Sequence, residues 1–154
     1  MYQQFANFLF YLPHIMDTSS AITVTALVNI PIEIVWKVWI RPVHIKNWNN
    51  ASPDWFTPFA KNNLNVGGRF NYRMEARDGS FGFDFEGIYL KVETEKLIEF
   101  VLADGRNVVV SFEKEGASIR VRQTFEPEQE NSIELQRQGW QAILDNFKRY
   151  AESL

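Results

Sequence analysis

RFNYRMEARDGSFGFDFEGIYLKVETEKLIEFVLADGRNVVVSFEKEGASIRVRQTF, residues 69–125, decides the fold. Five stretches in it carry apolar and polar residues in alternation: 69–76, 81–92, 97–102, 108–114 and 118–125. Between them stand Asp78-Gly79, Thr94-Glu95, Asp104-Gly105 and Glu115-Gly116. Asp-Gly between alternating stretches signals a hairpin, because a type I′ turn needs positive φ at both central residues. Consecutive hairpins make an antiparallel meander. Phe70, Tyr72 and Met74 oppose Asn71, Arg73 and Glu75, so one face of the sheet is buried and the other wet.

Outward from this run, residues 22–28 (Ile-Thr-Val-Thr-Ala-Leu-Val) have the same period of two and predict a first strand. Pro31 then opens a short helix with an apolar stripe of Val35, Trp36, Val38 and Trp39, and Pro42 opens a second running to Trp48. Residues 49–68, rich in Asn, Pro, Asp and Gly, read as a loop, yet Trp55, Phe56 and Phe59 require it to pack on something. Downstream, Asn131 and Glu134 form a candidate capping box. Trp140, Ile143, Leu144, Phe147 and Ala151 follow at i, i+3, i+4, i+7 and i+11, which predicts a core-facing helix of about 20 residues. The order β-α-α-β-β-β-β-β-α excludes a parallel βαβ sheet. The expectation is an α+β fold: a curved antiparallel sheet of six strands around a long C-terminal helix.

Residues 21–154 are expected to form a single domain and residues 1–20 an N-terminal appendage, since the core pattern starts only after Met16, itself a second start. With 16 Lys and Arg against 19 Asp and Glu, the formal charge of −3 gives no general attraction to nucleic acid or anionic membrane. The absence of Cys removes disulfides, thiolate metal sites and a Cys nucleophile, and fits the cytoplasm. No apolar run reaches the roughly 18 residues needed to span a bilayer.

No catalytic constellation emerges. Gly67-Gly68 precedes a strand and lacks a following Lys-Ser/Thr, so it reads as a turn and not a phosphate loop. His14 and His44 stand without a carboxylate cluster, and His44 reads as a surface residue of the second helix; neither metal nor other cofactor is expected. Asp84 and Glu86 share a face, but it is the one opposite Phe81, Phe83 and Phe85, which leaves both solvated. Aromatic residues make up 15% of the chain, more than a core needs. Phe70, Tyr72, Met74, Phe81, Phe83, Phe85, Tyr89, Phe100 and Phe112 can converge on Trp140 and Leu144, with Trp39, Trp48 and Trp55 near an entrance. They either pack densely or line a cavity.

The order of elements, with Asn65-Val66-Gly67-Gly68-Arg69-Phe70, Glu86-Gly87-Ile88-Tyr89-Leu90 and Gly139-Trp140, resembles the START-like (SRPBCC) superfamily. Within it the chain is similar to the branch named after the homologue of the heat-shock-protein-90 ATPase activator. The resemblance spans about residues 21–152; Arg41 and Val43 flank Pro42 where Thr and Glu are usual. It implies a helix-grip fold with a cavity between sheet and terminal helix, where the missing side chain of Gly139 leaves either close packing or empty space. The implied function is non-enzymatic binding of a small, largely apolar molecule, with Gln123 and Tyr72 orienting a polar end. A stress-related accessory protein docking on a chaperone, and a cyclase- or lyase-like enzyme acting in the same cavity, are the alternatives. The chain is expected as a monomer or homodimer.

Overall fold

The computed structural model describes residues 16–154. The appendage is therefore outside the described residues except for its last five positions, and so is His14. Alternation makes Ile22–Val28 strand β1, with Ile22, Val24, Ala26 and Val28 turned inward. Prolines then start α1 (Ile32–Ile40) and α2 (Pro42–Trp48), where a fixed φ suits the first turn and no N–H is missed. Strands β2 (Trp55–Asn62), β3 (Arg69–Ala76), β4 (Gly82–Glu93), β5 (Leu97–Leu102), β6 (Asn107–Glu115) and β7 (Ser118–Phe125) lead to α3 (Ile133–Glu152). The sheet order is β1-β7-β6-β5-β4-β3-β2, antiparallel throughout, so the first strand closes against the last. This is the helix-grip arrangement, with α3 laid along the inner face.

The sheet has seven strands among the described residues, not six. The additional one, β2, lies where a loop was expected. It is an edge strand that pairs only with β3, and its register shifts between Phe56 and Phe59, around Pro58. Pro58 lacks the N–H of a ladder donor and is tolerated because that edge has no further strand. Two hydrogen bonds fasten β2 to the end of α2: the Thr57 hydroxyl donates to the Asn49 carbonyl at 2.7 Å, and Asn49 Nδ2 donates to Thr57 Oγ1 at 3.2 Å. The opposite edge, β1, is covered from α3. Arg137, Gln141 and Lys148 donate to the carbonyls of Thr23, Thr25 and Leu27 at 3.2, 2.9 and 2.6 Å. The β1 edge is thus closed to pairing with another chain, and at the β2 edge Pro58 interrupts the row of donors.

Two local details differ from the expectation. At the Asp-Gly hairpins only the glycines take positive φ, 77° at Gly79 and 91° at Gly105, so the turns are not type I′. Gly79 N–H donates to the Ala76 carbonyl and Gly105 N–H to that of Leu102, each closing a four-residue turn whose last residue is left-handed. The cap of α3 is Ser132, whose Oγ accepts from Leu135 N–H at 3.1 Å; Asn131 instead donates to Glu128. Replacing Ser132 with alanine should therefore cost about 1 kcal/mol in urea denaturation, and Asn131→Ala less.

Candidate functional site

Inward-facing residues of β3, β4, β5 and β7 meet α3 over only part of its length. Leu144, Phe147 and Ala151, in the second half of the helix, are fully buried in a filled core. Nearer its N-terminus, Gln136, Gly139 and Trp140, with Ile143 just past the midpoint, form a stripe facing a cavity of about 710 Å³. That is within the usual range for small-molecule sites, about 300–1,000 Å³. Dense packing and open space therefore coexist, in different halves of the same interior.

Trp39 and Trp48 form the boundary between the two halves. They stack with ring centroids 5.0 Å apart, and Phe147 meets them edge-on from the filled side at 4.9 and 5.1 Å. Trp48 Nε1 donates to the Val38 carbonyl at 2.9 Å, which fixes its ring. The long wall is Phe70, Tyr72 and Met74 of β3, with Phe85 and Tyr89 of β4 and Phe100 of β5 beside them. Phe70 sits at the centre, its ring 5.0–5.8 Å from those of Tyr72, Phe85, Tyr89 and Phe100. Trp140 lies flat on Phe125 at 3.9 Å and edge-on to Phe85 at 5.9 Å.

Polar groups are few and localised. The Tyr89 hydroxyl donates to Asn62 Oδ1 at 2.5 Å, and Asn62 Nδ2 donates to the Ile40 carbonyl at 2.7 Å. Burial pushes the phenols of Tyr72 and Tyr89 up, and the neighbouring Tyr89 hydroxyl raises that of Tyr72 further. Both stay protonated at neutral pH. Gln123 is 8% exposed and faces the cavity with no hydrogen-bond partner for its carboxamide among the described residues.

The mouth has two unlike sides. On one, Phe81 and Phe83 are 63% and 38% exposed, backed by Trp55 at 6.2 and 6.0 Å. On the other, residues 128–131 form a lip tied to α3. Gln136 accepts from Glu128 N–H at 2.9 Å and donates to the carbonyls of Glu128 and Asn131 at 3.1 and 2.9 Å. Hydrogen bonds from Asn131, above all from its side chain, hold the Glu128 carboxyl below the ordinary carboxylate range. Arg106 borders this lip, its Nε 2.8 Å from Asp104 Oδ2 and its Nη1 donating to the Glu126 carbonyl at 3.3 Å.

Residues 29–152 match the family described as Activator of Hsp90 ATPase homolog 1-like protein. The chain belongs to this family. An AHSA1-like protein from Aeromonas hydrophila, solved in solution, is 45% identical, with 86% of this chain and 92% of that one covered and a TM-score of 0.81. A protein from Cytophaga hutchinsonii is 47% identical over 88% of this chain and 94% of its own, with a TM-score of 0.77. At 17% identity a protein from Nitrosomonas europaea still keeps the fold, with a TM-score of 0.75 over 90% and 97% of the two chains. No curated protein matches the chain. Among the described residues no helix is long and apolar enough to cross a membrane.

Of the candidate residues, Phe70, Tyr72, Met74, Phe81, Phe83, Phe85, Tyr89 and Phe100 line the cavity, as do Gln123, Trp140, Trp39 and Trp48. Trp39 and Trp48 belong to its buried wall, not to the entrance where they were expected. Three candidates lie outside it. Trp55 supports the rim from behind, Phe112 packs between Trp36 and Trp39 at 5.4 and 5.7 Å, and Leu144 is buried in the filled half while Ile143 faces the space. The lip and Gln136 were missed; a Gln on the apolar stripe of α3 was the available signal.

The sites set aside on sequence are also away from the cavity. Asp84 pairs with Arg73 at 3.5 Å and Glu86 accepts from Asn71 at 3.2 Å, both across β3 and β4 on the outer face. Burial, then the charge of Asp84, raises the Glu86 carboxyl. Gly67-Gly68 is a turn, with Gly68 N–H donating to the Asn65 carbonyl at 2.7 Å. His44 is half-buried, not on the open surface: its Nδ1 is 2.8 Å from the Tyr150 hydroxyl, and burial with the charges of Lys37 and Arg41 lowers its pKa.

Proposed function

We propose that the chain binds a small, largely apolar molecule in this cavity and performs no chemistry on it. The observation that carries the reading is an aromatic-walled space of about 710 Å³ into which an unpaired Gln123 carboxamide projects. A ligand that hides about 200 Å² of apolar surface there gains roughly 5 kcal/mol before ordering costs. Among the described residues, the ionisable side chains on the aromatic wall are the two phenols, held protonated and poor bases at neutral pH, while Asp104, Arg106, Glu128 and Glu130 stand at the lip.

Apolar ligands are expected to change the emission of Trp39, Trp48 and Trp140 and to raise the unfolding temperature. The stabilisation should grow with concentration, to about 2.7 kcal/mol at a hundredfold excess over Kd. A scanning-calorimetry panel of fatty acids, flavonoids and aromatic ketones that leaves the midpoint unmoved would overturn this reading. The second reading, an accessory protein that docks on a chaperone, would then stand. It rests on the match of residues 29–152 to a family named for an Hsp90 ATPase activator, and its assay is chaperone ATPase rate with and without the chain.

A further inference from the structure

Strand β7 places Ile119, Val121, Gln123 and Phe125 on the inner face, and the cross-strand partners of Gln123 are Val24 and Val110. Every neighbour in this set is apolar, so leucine would suit the site better than glutamine if the residue served only the core. Either orientation of the carboxamide offers one donating and one accepting side to the cavity. Among the described residues no unpaired cation faces this space. Arg106, the one Lys or Arg among the described residues of the lining, lies beside the lip and is held by Asp104 and the Glu126 carbonyl. Glu128 and Glu130 on the same lip leave the mouth with negative charge to spare.

Building on the binding reading, we infer that the cavity selects uncharged ligands whose buried end both donates and accepts a hydrogen bond, and rejects carboxylates of the same shape, with Gln123 as the residue that reads the difference. A primary amide or comparable group pairs with both sides of the Gln123 carboxamide. A carboxylate only accepts, so it leaves Gln123 Oε1 facing another oxygen. It also carries its charge past an acidic lip into a wall of aromatic rings without a counter-ion, where desolvation is not repaid. Shape does not enter this choice, because the two head groups are nearly isosteric.

The test is titration calorimetry of the full chain at pH 7.5 with naphthalene, its carboxamide and its carboxylate. The carboxamide is expected to bind at least about tenfold tighter than the carboxylate, the factor that one well-placed hydrogen bond supplies. Gln123→Leu should lose the preference for the carboxamide over naphthalene itself, and Gln123→Arg should shift the preference to the carboxylate. Should the arginine variant fail to fold, the leucine variant, apolar at an inner-face position, still decides. Equal affinity of wild type for carboxamide and carboxylate, or a preference for the carboxamide over naphthalene that survives Gln123→Leu, overturns the inference while naphthalene binding leaves the cavity reading standing. If none of the three probes binds, both fall.

Discussion

Phe147→Ala should lower stability by about 3–5 kcal/mol, the cost of truncating a fully buried aromatic residue. Its ring is 0% exposed and meets both Trp39 and Trp48 within 5.1 Å, on the side away from the cavity. Truncation removes the backing of both tryptophans at once. The two tryptophan rings separate the new void from the cavity, and how far they settle into it decides where in that range the cost falls. For a domain of this size the midpoint should fall by roughly 6–20 °C. Phe147→Leu keeps most of the volume and should cost much less. Urea unfolding of both variants is the measurement, and a loss below about 1 kcal/mol for the alanine variant would show that this half of the interior is not filled.

The halves of the interior were unequally legible in the sequence. Where period-two alternation is clean, as in Phe70, Tyr72 and Met74 against Asn71, Arg73 and Glu75, strand, face and register neighbours follow from it. In Trp55–Asn62 the alternation fails because Pro58 and a register shift interrupt it, and the strand is held from outside by Asn49, a contact no local pattern encodes. The same limit applies to the cavity. Periodicity places Phe112 and Phe100 alike on inner faces, yet one meets tryptophans and the other borders empty space. That outcome is set by sheet curvature and by where α3 lies, which depend on all strands together. Gln123 is the converse case: a polar residue in the phase of Ile119, Val121 and Phe125 breaks a pattern that is otherwise complete.

Gly139→Leu should abolish most ligand binding while leaving the fold as stable as before or slightly more so. Six of the other seven glycines have a firm local reason to lack a side chain. Gly67, Gly79, Gly105 and Gly116 take positive φ. At Gly68 a Cβ would stand 2.1 Å from the Asn63 carbonyl oxygen and at Gly87 2.5 Å from that of Val101, whereas at Gly82 the near atom, 2.7 Å away, is the mobile end of Arg73. Gly139 has neither reason: its φ is ordinary and nothing lies within 4 Å of where a Cβ would be. In a helix interior it costs about 1 kcal/mol relative to alanine. That cost persists in the middle of the stripe that faces the cavity, which points to the space itself as what the missing side chain preserves. A leucine there recovers helix propensity and leans over the preceding turn, toward Gln136, filling volume a ligand would use. The expected result is a midpoint unchanged or raised by a few degrees, with the affinity for whichever apolar ligand stabilises wild type reduced more than about tenfold. Were the interior packed throughout, the same substitution would overpack it, at a cost of roughly 1–3 kcal/mol, and neither protein would respond to ligand. The two substitutions on α3 thus carry opposite signs for stability, Phe147→Ala emptying a filled half and Gly139→Leu filling an empty one, and a loss of stability in both would remove the cavity from the argument.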